Sequence, residues 1–271
     1  MTRRNLAHWR DSLIATGRSA KTVSGKDLAA VRAVLTWAFV EARLPSNESA
    51  LVHQEVPKKV QSRERGYTTR EAIKILKVSL CYQPSISSNP SNCESSHITA
   101  AKRWVPLLCA FTGARVTEIT QLRKEDITHE DNQWQLRITP DAGSVKSGQY
   151  RDVPLHRQIF DIGFIDFVNS SSPGPLFHAA RSQEKFLAGA RATSGRLSQW
   201  LQSLNLVPDG IQPSHGWRHR FKTQGRELGM SDRVIDAIQG HASRTEGDNY
   251  GDITVTAKVK VIEALAYYDL S

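Results

Sequence analysis

The chain has 271 residues, of which 39% are hydrophobic and 23% charged, a globular balance with room for one large domain or a small domain beside a medium one. Lysine and arginine number 36 against 27 acidic residues, a formal charge of +9 that favours a polyanionic partner. No apolar run approaches the roughly 18 residues of a membrane helix, and the start MTRRNLAHWRDS lacks the apolar stretch of a signal peptide. Cys81, Cys93 and Cys109 have no CxxC spacing and cannot all pair, so a reduced, cytoplasmic setting is expected and no thiol chemistry is assigned.

From the N-terminus, LAAVRAVLTWAFVEA (28–42) sets Leu28, Val31, Leu35, Ala38 and Ala42 at helical spacing before LPSNES breaks the pattern. This predicts a helix in a basic module, because residues 1–65 hold twelve lysines and arginines against six acidic residues. HQEVPKKVQSRERG (53–66) is charged and aperiodic and reads as a linker, so a second domain is expected over 66–271. Thr68 and Glu71 stand as a capping box, with Ile73, Leu76 and Leu80 on one face of the helix that follows. The Ser- and Asn-rich stretch 82–97 predicts a long surface loop, and AKRWVPLLCAF resumes an apolar helix around Pro106. In QWQLRIT, Trp134, Leu136 and Ile138 alternate with polar residues as in a half-buried strand. VKSGQYRDVPL predicts a second hairpin turning at Ser147-Gly148. Apart from PLF at 175–177, the remainder is helical in pattern. The expected fold is mainly α with a small antiparallel β-sheet.

Four groups of residues carry chemistry. TGARVTEITQL (112–122) ends one helix at Thr112-Gly113 and places Arg115 and Glu118 three apart on the next, the spacing of an ion pair. Lys146 sits beside a tight turn, where an ammonium serves solubility or reaches into a groove. SHGWRHRF (214–221) follows Pro213 at a helix start, so His215 and Arg218 lie in a first turn whose free N–H groups favour an anion. Trp217, Phe221 and Leu228 are expected on the buried side and Gly229 as the stop. A zinc-hydrolase reading of His215 and His219 lacks its base, because Gly216 stands where His-Glu-x-x-His has glutamate, and His219 is expected to be a packed or hydrogen-bonded core histidine. In IQGHASRTEGDNYGD, Ser231 is placed to cap a helix that Gly240 ends, leaving His241 at the turn and Tyr250 nine residues on in a polar setting.

In this order, Arg115 with Glu118, Lys146, His215-x-x-Arg218, Gly240-His241 and Tyr250 resemble the signature of the tyrosine recombinases, the phage-integrase family. The resemblance runs from about residue 67 to the C-terminus, and the helix at 28–42 is similar to part of the core-binding domain that precedes the catalytic domain in these enzymes. Residues 1–65 are shorter than that domain, and no separate arm-site-binding domain is recognised.

The resemblance implies a site-specific recombinase that cleaves and rejoins double-stranded DNA through a 3′-phosphotyrosyl link and needs no metal or other cofactor. Arg115 and Arg218 would hold the scissile phosphate, Tyr250 would attack it, His215 would take the tyrosine proton, and Lys146 would protonate the leaving 5′-oxygen. His241 would donate to the phosphate, and Glu118 would orient its neighbours. It further implies a homotetramer on DNA, with accessory DNA-bending or excision factors, in the nucleoid. The apolar stripe Val255, Val259, Ile262 and Ala266 would then dock on a neighbouring copy or on its own domain. Type IB topoisomerases, which relax supercoils as monomers, share this chemistry, and a silent relative would bind DNA only.

Overall fold

Thr2 opens the first helix: its side chain accepts the Asn5 backbone N–H, and α1 (Arg3–Ala15) follows. The computed structural model describes residues 2–58, 60–84, 88–89, 93–241 and 253–271. Met1–Ser62 forms one compact unit and Arg63–Ser271 a second.

In the first unit, Ser19 caps α2 (Ala20–Thr22), which runs through one π-helical turn, Val23–Asp27, into α3 (Leu28–Val40). Leu6, Val23, Leu28 and Val52 make a small core, with Trp9, Leu13, Ile14 and Val31 packed against it. Arg10 donates to the His53 carbonyl at 2.7 Å, and Arg32 donates to the carbonyls of Ser49 and Val52. These bonds tie the returning segment to the helices. The inward face of α3 is the expected one as far as Ala38. Ala42, however, lies beyond the helix at φ 52°, because the helix stops at Val40.

The second unit starts with the capping box: Thr68 and Glu71 exchange hydrogen bonds at the head of α4 (Thr69–Leu80). The next helix, α5 (Ser96–Thr112), begins earlier than its apolar pattern, and Pro106 lies inside it. It is the central element, buried almost all round from Ala100 to Thr112, with α4, α6 (Val116–Thr120), α9 (Gln183–Ser203) and α10 (Pro213–Glu227) packed on it. The core collects Leu76, Leu108, Phe111, Ile119, Phe164, Phe177 and Phe221 among others.

Strands β1 (Ile127–Glu130), β2 (Gln133–Ile138) and β3 (Arg151–Pro154) form one antiparallel meander in that order. VKSGQYRDVPL is therefore not a hairpin of its own. Its second half pairs back on β2, Val153 opposite Leu136, and Ser147-Gly148 belongs to a turn within the connection, closed by Gly148 N–H to Val145 O at 2.9 Å. After α7 (Arg157–Asp161) and α8 (Phe164–Ser170), α9 and α10 lead to α11 (Asp232–Gln239) and α12 (Val255–Glu263). The last helix docks on its own unit, against β3 and α11, burying Val261 and Ile262, while Ala266 lies past its end and is exposed.

Candidate active site

Gly113 ends α5 in the left-handed conformation, φ 58°, and a Cβ there would stand 2.5 Å from Gln239 Nε2 and 2.9 Å from the Phe221 ring. Only glycine lets α10 and α11 come this close to the turn. Arg115 follows as the N-cap of α6. Glu118 accepts its backbone N–H at 3.0 Å and its Nη1 at 2.9 Å. Glu118 is 2% exposed, so the pair is not a solvated one. Its second buried partner is Arg151 at the start of β3, whose Nη2 donates at 2.6 Å. Burial pushes the Glu118 carboxyl upward, but Arg151 and then Arg115 outweigh it and hold it below the ordinary glutamate value. Glu118→Ala leaves two arginines beside an empty place, and urea unfolding is expected to show a loss of about 3–5 kcal/mol.

Helix α10 starts with Pro213 in its first turn, as expected. Gly216 lets the Tyr67 ring lie against it, where a Cβ would meet Cε2 at 2.6 Å, and the Tyr67 hydroxyl donates to Pro213 O. The buried side carries Trp217, Arg218, Arg220, Phe221 and Gly225. Two expectations fail here. His219 is exposed rather than packed, because it falls between these residues on the solvent side. Leu228 is exposed because the helix ends at Glu227 and the chain turns away at Gly229.

Arg218 is only 8% exposed, yet among the described residues no carboxylate forms an ion pair with it. Its Nη1 donates to Gly113 O at 2.8 Å and Gln239 O at 2.7 Å, while Nη2 is buried without a partner among the described residues. Burial, reinforced by the charge of Arg115, pushes its pKa down to about 10. His215 is exposed beside it, and partial burial with the charges of Arg218 and Arg115 lowers its pKa, which favours the neutral imidazole.

Gly240 ends α11 at φ 69°, and a Cβ there would stand 2.5 Å from the Arg151 guanidinium. Three arginines converge on this helix end. Arg151 donates to Ile238 O and Gln239 O, Arg218 to Gln239 O, and Arg115 to Gly240 O at 3.3 Å. The last carbonyls of a helix have no partner within it and carry its negative pole, so they receive cations. Ser231 stands at the N-cap of α11 but makes no side-chain cap bond.

His241 Nδ1 lies 2.7 Å from Asp236 Oδ1, which Lys222 also approaches at 2.6 Å. Burial raises the Asp236 carboxyl, and the bonds from Lys222 and His241 overcome it, so Asp236 is ionised and Nδ1 carries the proton. Burial and then Arg218 lower the pKa of His241 despite Asp236. Lys146 is exposed on the β2–β3 connection. Tyr250 lies outside the described residues.

The structure thus brings Arg115, Glu118, His215, Arg218 and His241 around the meeting point of α5, α6, α10 and α11. Sequence reasoning missed Arg151, Asp236, Lys222 and Gln239. Arg151 left a signal: in R-x-V-x-L it shares a phase with Val153 and Leu155, both buried.

Guanidinium groups and imidazoles thus gather round one helix end, with no acidic partner for Arg218 among the described residues, and guanidinium forks are groups that can bind a phosphate ester. The sequence profile of the phage integrase family matches residues 86–256, and the chain belongs to this family, the site-specific tyrosine recombinases. It is similar to the tyrosine recombinase XerC of Mesorhizobium japonicum, with 25% identity over 248 residues, covering 92% of this chain and 73% of that protein.

Solved structures share the fold. The integrase of mycobacterium phage Brujita matches with TM-score 0.50 and 20% identity, covering 96% of this chain and 82% of that one. The Tn1549 transposon integrase in complex with circular intermediate DNA matches with TM-score 0.55 and 16% identity, covering 96% and 84%. The XerH recombinase bound to its difH substrate matches with TM-score 0.52 and 17% identity, covering 97% and 67%.

Proposed function

We propose that the cluster around Arg218 holds the scissile phosphate of double-stranded DNA and that Tyr250 attacks it. The observation that carries this reading is Arg218 itself: buried, charged and, among the described residues, anchored by carbonyls alone, with Nη2 unpartnered beside Arg115 and His215. A buried cation in that state asks for an anion.

In the reaction, a bond forms between Tyr250 Oη and phosphorus while the bond from phosphorus to O5′ breaks. Neutral His215 takes the tyrosine proton, and Lys146 gives one to the leaving O5′. Arg115 and Arg218 stabilise the charge that grows on the non-bridging oxygens. The phosphotyrosine keeps the ester linkage, so a 5′-hydroxyl of another strand reverses the steps and rejoins DNA. His241 in its neutral form presents Nε2 as an acceptor, because Nδ1–H faces Asp236. It donates to the phosphate only after gaining a proton, which the arriving anion favours. Glu118 and Arg151 hold Arg115 in place.

The first unit, with its basic excess, adds a second grip on DNA in the manner of a core-binding domain. Four copies acting on two sites form the recombining assembly, in the cytoplasm and on the nucleoid.

The test is a library of nicked duplexes with randomised core sequence. Once the strand is cut, the short fragment beyond the nick diffuses away and the covalent protein–DNA adduct is trapped. A denaturant-resistant adduct on a 3′-phosphate with a free 5′-hydroxyl is the expected result, and the trapped strands, sequenced, give the site. DNA binding without any adduct would leave a binding protein with a silent site. Relaxation of supercoils by monomers, with no preferred sequence among the trapped strands, would favour the topoisomerase reading.

A further inference from the structure

Gln121, the residue after α6, is 1% exposed and has been given no role so far. Its side-chain amide spans the base of the connection that carries Lys146. Nε2 donates to Thr139 O at 3.2 Å, just after β2, and Oε1 accepts Ser144 N–H at 3.1 Å. Between these two points the chain makes a 3₁₀ turn, Pro140–Ala142, and passes Gly143 at φ 158° and ψ −90°. A Cβ on Gly143 would stand 2.8 Å from Gln121 Oε1, so the loop lies directly on the amide. Val145 is buried next, and Lys146 is the first exposed side chain after this anchored half.

The loop with Lys146 is therefore an arm fixed at its root, and its root is the same turn of chain that presents Arg115 and Glu118. We propose that Gln121 is a positioning residue, which sets the place of the Lys146 ammonium relative to a phosphate held by Arg115. The short α6 segment thereby registers the proton donor for the leaving oxygen against the phosphate grip. An amide suits this task better than a charged group, because one side must donate and the other accept, with no charge added beside the arginines.

This inference rests on the reading of Lys146 as general acid, and the experiment separates the two. Single-turnover cleavage of the selected site is measured on ordinary DNA and on DNA whose scissile 5′-oxygen is replaced by a bridging sulfur. A thiolate leaves without protonation, so the sulfur substrate bypasses the general acid. Gln121→Ala is expected to slow cleavage of ordinary DNA about 10- to 100-fold, the scale of a misplaced catalytic group. On the sulfur substrate its rate should return to within a few-fold of the parent, as should that of Lys146→Ala.

Gln121→Glu keeps the volume and the acceptor for Ser144 but sets a second acceptor against Thr139 O. It should show the same defect and the same rescue, and it serves where the alanine variant does not fold. Rescue of Lys146→Ala with both Gln121 variants still slow would overturn the inference alone. Failure to rescue Lys146→Ala would remove the general-acid reading and this inference with it. Undiminished cleavage of ordinary DNA by the Gln121 variants would also overturn it.

Discussion

A Tyr250→Phe chain is expected to bind the selected duplex with the parent's affinity and to form no covalent adduct on the nicked substrate. The substitution removes one oxygen, and four of the other five tyrosine hydroxyls are already engaged in hydrogen bonds. The chain has six tyrosines. Tyr67 is buried and donates to Pro213 O, with burial pushing its pKa well above the ordinary value. Tyr268 is buried against Arg220, which donates to its hydroxyl at 2.9 Å, and burial raises its pKa as well. Tyr82 accepts from Lys102, and Tyr267 donates to Asp161 at 3.1 Å. Tyr150 is exposed on the loop of Lys146, with Arg137 over its ring, and makes the natural control. Tyr150→Phe should trap DNA like the parent. An adduct that survives Tyr250→Phe and disappears in Tyr150→Phe would transfer the nucleophile to that loop.

Arg218→Ala should lower the single-turnover cleavage rate by at least ~100-fold, as expected when a donor aimed at transition-state charge is removed. Arg218→Lys is the sharper variant, since it keeps the charge and loses the fork. An ammonium is a compact point charge on a flexible stem, whereas the guanidinium bonds Gly113 O and Gln239 O through Nη1 and still has Nη2 to offer. The lysine variant should retain binding and remain slow in cleavage. A lysine variant that cleaves at the parent's rate would show that charge alone suffices and that the fork does not hold the phosphate. Arg218→Ala should lose less stability than Glu118→Ala, because it relieves repulsion from Arg115 instead of exposing it.

How much of this was legible in the sequence depended on whether a feature is local. The ends of α5 and α11 were legible because Gly113 and Gly240 are needed at positive φ, and the capping box of α4 because its partners are three residues apart. Arg115 with Glu118 and His215 with Arg218 were legible as spacings. The burial of Glu118 and Arg218 was not, since their partners, Arg151 and the carbonyls at the end of α11, are distant in sequence. His219 was misjudged because periodicity gives a face only when its centre is known, and Arg218 and Arg220 turned out to share that face with Trp217 and Phe221. The β2–β3 connection was misjudged because Ser147-Gly148 is a good turn anywhere, and strand pairing, not turn chemistry, decides whether it is the tip of a hairpin.

The end of α11 acts as a counter-charge that does not titrate. Carboxylates that steady an arginine take up protons as the medium becomes acidic, whereas backbone carbonyls do not. Arg218 keeps the same anchorage across the range in which a cell's pH moves. In the proposed reaction, the acid–base profile would thereby be left to the imidazoles, Lys146 and the attacking phenol, separate from the grip on the phosphate.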